Sequence, residues 1–174
     1  MSLLDFRGVS LAEGEGVFLR DVDVSVGSGD RLVVFGPAGS GKGTFLRLAA
    51  GTLEPSSGSV SLEPPRPGRP APVGFVRNEG GLLSNLSLLH NVMLPAVYHG
   101  LLDPAEAQRR ARRLLEELGV SGQAHRRPAL ASVSARRLTQ LARALLVEPA
   151  VFVLEDPLSD VDAPAARTIR RVLE

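Results

Sequence analysis

The chain has 174 residues, 44% of them hydrophobic and 22% charged, which is the size and balance of one soluble globular domain with a real core. Its 20 basic and 19 acidic side chains leave a net charge of +1, which excludes a strong electrostatic pull toward nucleic acid. Cysteine is absent, which excludes disulfides and thiolate metal sites, and no apolar run approaches the roughly 20 residues of a membrane span. Asp5 falls where a secretory signal needs an apolar stretch, so the expected location is the cytoplasm, with no direct membrane insertion.

Residues 6–11 and 17–26 read as two strands, with Val22, Val24 and Val26 alternating against Asp23 and Ser25, and with Gly14 and Gly16 as turn residues between them. Residues 31–35, Arg-Leu-Val-Val-Phe, form a short apolar run expected of a strand buried on both faces. A glycine-rich loop follows, then a helix over 44–50 stopped by Gly51. Residues 59–62 read as a short strand, the proline-rich stretch 64–72 as a surface linker, and 73–76 as a further apolar run. Residues 86–97 suggest a helix broken at Pro95.

Asp103-Pro104-Ala105-Glu106 is a helix start, with Asp103 as N-cap and Glu106 completing a capping box. Ala107, Ala111, Leu114, Leu115 and Leu118 give that helix one apolar stripe, ended by Gly119. Further elements are a helix over 134–147, a buried strand over 151–154 ending in Glu155 and Asp156, and a helix over 163–173. Arginines cluster at 109–113 and at 126–137, and their pattern predicts solvated helix faces. Strands alternating with helices predict an α/β layer fold with a largely parallel sheet, the first two strands forming an antiparallel annex.

The chemistry concentrates in Gly36, Pro37, Ala38, Gly39, Ser40, Gly41, Lys42, Gly43 and Thr44, between an apolar strand and a helix, which is the context of a phosphate-binding P-loop. Glycines let backbone N–H groups turn inward around an anion, and the helix N-terminus adds unpaired donors. Lys42 is the only lysine in the chain, and its compact ammonium suits a narrow phosphate pocket better than a guanidinium does. Gly43 stands where a magnesium-ligating Ser or Thr is usual, and Thr44 is one position late. The Gly-Lys-Gly-Thr ending resembles that of adenylate-kinase-like enzymes, which leaves a nucleoside monophosphate kinase as one reading of the loop alone.

Taken with Gly29-Asp30 before the loop, Leu53-Glu54-Pro55-Ser56-Ser57-Gly58-Ser59-Val60 after it, and Leu141-Ala142-Arg143-Ala144-Leu145 followed by Glu148-Pro149 and Ser159-Asp160-Val161-Asp162, the chain resembles an ABC transporter ATPase subunit. That resemblance implies one ABC-type P-loop NTPase domain over 1–174, with a helical insertion at about 80–147, ATP and Mg2+ as cofactors, and a second ATPase subunit and a membrane permease as partners. The protein would then be peripheral on the inner face of the membrane. The stretch Gly80-Gly81-Leu82-Leu83-Ser84-Asn85-Leu86-Ser87 and Asn91-Val92-Met93-Leu94-Pro95 resembles lipid-trafficking importers of the Mla/Mce type, with the segment from Glu79 to Gly100 against the permease.

The catalytic positions depart from the family pattern. Asn78 occupies the glutamine position of the Q-loop, and the signature aligns with Ala131-Ser132-Val133-Ser134-Ala135, keeping Ser132 for ATP and losing both glycines. The Walker B pair reads Glu155, a magnesium position shared with Thr44, then Asp156, a short candidate general base. The aromatic expected before the loop is missing, with Glu13 near its place, and the family's next strand and switch histidine lie beyond Glu174. These changes predict an ATP-binding subunit, incomplete at its C-terminus, with weak or no hydrolysis of its own. A competent ATPase powering lipid transport and a truncated structural remnant remain alternatives.

Overall fold

In the computed structural model, residues 2–13, 16–62, 73–78 and 80–174 are described, and they form two compact units, Met1–Val73 and Gly74–Glu174. The Gly14 turn, the linker 64–72 and Glu79 lie outside the described residues.

In the first unit, β1 (Ser2–Glu13) pairs antiparallel with both β2 (Gly16–Gly27) and β3 (Ser57–Leu62), giving the order β2-β1-β3. The antiparallel annex is therefore present, and its first two strands are longer than their apolar runs suggest. Leu4, Phe6, Val9 and Leu11 of β1 are buried. The step of three between Phe6 and Val9 is a change of parity, and the pairing register shifts there, at Gly8 with φ of 55°; the irregularity keeps both halves of the strand on one apolar face. Helix α1 (Lys42–Ala49) buries Phe45, Leu48 and Ala49, and the Phe45 ring stacks on Phe6 with centroids 4.6 Å apart.

Residues 31–35 depart from expectation. Among the described residues they join no strand ladder, and Leu32, Val33 and Phe35 are 48%, 76% and 88% exposed. An apolar run becomes a buried strand only where neighbours pair both of its edges and cover both faces, and the sheet of this unit closes as β2-β1-β3 without it.

In the second unit, β4 (Val73–Val76) and β5 (Val151–Leu154) are hydrogen-bonded neighbours. The Glu155 N–H donates to the Val76 carbonyl at 2.9 Å, so the C-terminal ends of the two strands lie side by side, as in a parallel pair. β5 is less enclosed than its sequence suggests, since Val153 is buried while Phe152 is 37% exposed. Helices α2 (Leu88–Tyr98), α3 (Pro104–Glu117), α4 (Val133–Leu146) and α5 (Ala163–Leu173) share one core with Val76. Leu88, Leu89, Val92, Leu115 and Leu141 are at most 1% exposed.

Helix α2 is continuous through Pro95 rather than broken. Its Ser87 cap accepts from the His90 N–H at 3.2 Å, and the buried Asn91 ties the preceding turn, accepting from the Leu83 N–H while its two amide hydrogens are shared among the Leu83, Leu86 and Ser87 carbonyls. A proline near the C-terminal end costs a helix one internal bond, and the buried apolar face holds the last turn in place.

The α3 stripe lies as its spacing predicts, with Ala107, Ala111, Leu115 and Leu118 buried and Leu114 partly so. Asp103 caps it, accepting from the Ala105 and Glu106 N–H groups at 3.0 Å. The Glu106 carboxylate turns instead to the Arg109 and Arg110 guanidinium groups, and Arg113 pairs with Glu117. The first arginine cluster is thus a solvated face. The second is not, because Arg137 is 4% exposed.

Helix α5 starts at Asp162, whose carboxylate accepts from the Ala165 N–H at 2.9 Å and from the Ser134 hydroxyl at 2.7 Å. Ser134 Oγ in turn accepts the Asp162 N–H at 3.0 Å. The Ser134 hydroxyl joins the start of α4 to the start of α5.

Two expectations follow for stability. A Cβ on Gly58 (φ +80°) would lie 2.3 Å from the Gly8 carbonyl oxygen, so Gly58→Ala should lower unfolding stability, in urea melts, by more than the ~1 kcal/mol typical of losing the Asp103 cap through Asp103→Ala. The Ala165 N–H, first, and the Ser134 hydroxyl hold the Asp162 carboxyl below the ordinary aspartate value of 3.8. Its charge therefore stabilises the fold fully above that pH and progressively less as pH falls through the lowered folded value. Asp162→Asn should flatten the acid limb of a stability–pH curve and leave its slope near neutrality unchanged.

Candidate functional site

The glycine-rich loop 36–44 is built from alternating backbone conformations. Gly39 and Gly41 have φ of 78° and 84°, a region that side chains resist, and Ser40 closes a turn by donating its N–H to the Pro37 carbonyl at 3.3 Å. Helix α1 begins at Lys42, two residues earlier than its apolar pattern suggests. Its cap is Gly41, no side chain caps its N-terminal N–H groups, and its first turn holds no acidic residue. Nothing within the helix thus neutralises the positive end of its dipole, the arrangement suited to an anion. The Lys42 ammonium donates to the Gly36 and Pro37 carbonyls at 2.8 and 2.7 Å, which fixes the only lysine inside the loop's curve. A phosphate taken up by this loop would meet a cation already in position.

The remaining candidate residues belong to the second unit. Asn78 follows β4. Its backbone N–H donates to Glu155 Oε2 at 3.3 Å, and its side-chain oxygen accepts from Arg137 at 2.8 Å. Asp156 holds a left-handed backbone conformation, with φ of 41°, that non-glycine residues adopt at a cost and that concentrates at functional turns. Its carbonyl accepts the Ser159 N–H at 3.0 Å, closing the turn after β5. Asn78, Arg137, Gln140 and Asp160 line a common cleft of about 410 Å³.

Ser132 is the N-cap of α4. Its hydroxyl accepts from the Ala135 N–H at 3.1 Å, and the Gln123 side chain accepts from its backbone N–H at 3.2 Å and reaches its hydroxyl at 3.4 Å. Ser132 is therefore placed by helix capping. Val133 is 42% exposed at the same end.

A divalent cation of the kind the resemblance implies takes hard oxygen ligands. The Thr44 hydroxyl and the Glu155 carboxylate are donors of that type. The Asn78 amide oxygen is of that type too and accepts from the Arg137 guanidinium. Among the described residues no group of three or more His, Cys, Asp or Glu could hold a metal ion. Thr44 in the first unit and Glu155 in the second are each by itself a ligand of the kind magnesium takes.

Arg137, Gln140 and Gln123 were not legible as site residues in the sequence. The available signal was periodic: Arg137 and Gln140 fall among the apolar positions of α4, where a polar side chain persists only with partners. Burial pushes the Arg137 guanidinium below its ordinary value, opposed by the carboxylates of Asp160, Asp156 and Glu155.

The family model described as ABC transporter matches residues 19–159. The chain is 35% identical over 187 residues to the macrolide export ATP-binding/permease protein of Paracoccus denitrificans, covering 99% of this chain and 28% of that protein. It is 37% identical over 153 residues to the molybdate/tungstate import ATP-binding protein of Archaeoglobus fulgidus, covering 84% and 61%. It is 32% identical over 165 residues to a lipoprotein-releasing system ATP-binding protein of Rhodopirellula baltica, covering 89% and 72%. The chain spans between 28% and 62% of the length of the first six curated relatives. A solved ATP-binding cassette, dimeric and bound to ADP and Pi after hydrolysis, matches with a TM-score of 0.86 over 98% of this chain and 81% of that one, at 24% identity, which shows the P-loop ABC-ATPase fold. On the extent of the family match and the identity to these relatives, the chain belongs to the ABC transporter ATP-binding family.

Proposed function

We propose that the chain binds ATP through residues 36–44, hydrolyses it slowly or not at all by itself, and serves as a nucleotide-binding subunit beside a second ATPase subunit and a membrane permease. The observation that carries the binding half is the loop itself: an uncapped helix N-terminus, two left-handed glycines, and Lys42 fixed on the Gly36 and Pro37 carbonyls. In this reading the nucleotide's phosphates draw the lysine from those carbonyls. Thr44 and Glu155 are the residues offered to Mg2+, whose role is to neutralise phosphate charge.

Weak hydrolysis rests on the catalytic positions. Asp156 is a short base in a constrained turn, and Asn78 has its oxygen engaged. Ser132 and Ser134 are both committed to helix starts. A general base out of reach of its water typically costs about 10²–10⁴ in rate.

No helix among the described residues is long and apolar enough to cross a membrane. In this reading the permease holds the chain at the cytoplasmic face. The exposed Leu83, Leu94 and Tyr98 support residues 79–100 as the permease contact, since exposed apolar side chains clustered on one segment mark interaction sites. Relatives carry names spanning macrolide export, molybdate/tungstate import and lipoprotein release. Within that range the lipid-trafficking reading rests on the resemblance of residues 80–95 to the Mla/Mce type.

Calorimetry of Mg-ATP on the purified chain, beside Lys42→Ala, should give binding that the substitution abolishes. Phosphate release by the same sample should stay well below ~1 s⁻¹, the lower end of ordinary enzyme turnover. Binding insensitive to Lys42 would remove the site assignment, and turnover above that rate, lost in Lys42→Ala, would make the chain a competent ATPase.

A further inference from the structure

Lys42 is the chain's only lysine, so one side chain alone carries a primary amine, and it stands inside the glycine-rich loop of the first unit. Every arginine carries a guanidinium instead, which keeps its proton and is a poor nucleophile. The Lys42 Nζ donates to the Gly36 and Pro37 carbonyls at 2.8 and 2.7 Å. Among the described residues it enters no ion pair, and the side chain is partly exposed. Its partners are therefore neutral oxygens, which an arriving anion displaces more readily than it would a carboxylate.

The loop selects for phosphate without selecting what the phosphate is attached to. Its cradle is the uncapped start of α1 and the left-handed glycines Gly39 and Gly41, and these meet phosphate oxygens through backbone N–H groups. A small acyl phosphate carries the same anionic group, joined through one oxygen to an electrophilic acyl carbon. Seating its phosphate on the cradle holds that carbon beside the amine, and holding nucleophile and electrophile together raises their effective concentration.

We propose that Lys42 is an acylation site, at which small acyl phosphates captured by the loop transfer their acyl group to the lysine and so switch nucleotide binding off. Capture rests on the anion-binding reading of residues 36–44 given above. In the transfer the Nζ lone pair attacks the acyl carbon, the bond from that carbon to the phosphate oxygen breaks, and inorganic phosphate leaves. Of the three ammonium hydrogens, one stays on the new amide nitrogen, one leaves on the phosphate and one passes to solvent. Nothing is oxidised or reduced. The product is a neutral amide with one N–H donor and added bulk, so a nucleotide phosphate meets no cation in the loop. With no second lysine in the chain, one transfer completes the modification of its side-chain amines. A nucleotide already seated shields the amine, so acylation and ATP exclude each other.

The test uses the full purified chain and acetyl phosphate, with modified positions mapped by peptide mass spectrometry. Acetyl groups should appear on Lys42 at a rate that saturates with acetyl phosphate and that excess pyrophosphate or Mg-ATP suppresses. The chain's α-amino group is the internal reference, and its acetylation should rise linearly and ignore both competitors. Calorimetry should then show the acetylated chain binding Mg-ATP at least about tenfold more weakly than the parent, the scale of losing a hydrogen bond from a charged group.

Acetylation of Lys42 that never saturates, or that tracks the α-amino group and ignores pyrophosphate, overturns the proposal. So does parent-like ATP affinity in the Lys42-acetylated chain. The two readings fail separately. Saturable acetylation suppressed by pyrophosphate and not by Mg-ATP upholds the acylation site and removes the ATP-binding reading. ATP binding that needs Lys42, without saturable acetylation, keeps that reading and removes the proposal.

Discussion

Burial of the Arg137 guanidinium is the constraint around which the second unit is arranged. A charge at 4% exposure is tolerated only with partners, and the fold supplies them from two directions. The Arg77 carbonyl and the Asn78 amide accept its hydrogen bonds, and Glu155, Asp156 and Asp160 supply opposing charge. Satisfying one side chain therefore fixes the loop after β4, the turn after β5 and the face of α4 at once. Those segments hold Asn78, Glu155 and Asp156, the candidate residues of the second unit.

The apolar core makes that constraint rigid. Ala142, Leu141 and Leu138 of α4 pack with Leu88, Leu89 and Val92 of α2 and Leu115 of α3, so the polar face of α4 cannot rotate without opening the core. The ends of the helices are fixed by short side chains. Ser87, Asp103, Ser132 and Asp162 each accept backbone N–H groups at a helix start, and Ser134 links two of those starts. Ser132 and Ser134 thereby hold the starts of α4 and α5.

The first unit obeys a different logic. Its sheet is held by ladder hydrogen bonds and by Phe6 stacked on Phe45, and the close approach of Gly58 to Gly8 lets β3 pair with β1. The phosphate loop needs little beyond its own backbone. Glycines permit its turns, the start of α1 supplies donors, and Lys42 binds carbonyls a few residues away.

That difference explains what was legible in the sequence. Local interactions leave local patterns: the loop 36–44, the Asp103 cap, the stripe Ala107–Leu118 and the antiparallel annex all follow from spacing and residue type, and each is present. Long-range interactions leave none. Nothing in the order of residues says that Arg137 crosses to a loop 60 residues earlier, and the arginine cluster around it reads as a solvated face. Nor does an apolar run state whether neighbours will pair it, which is why residues 31–35 read as a buried strand and yet join no ladder. By itself the sequence determined the family and the glycine-rich loop between an apolar run and a helix. The tertiary structure decided that Arg137 holds the oxygen end of the Asn78 amide, because a guanidinium has no acceptor and only the folded chain brings one to it.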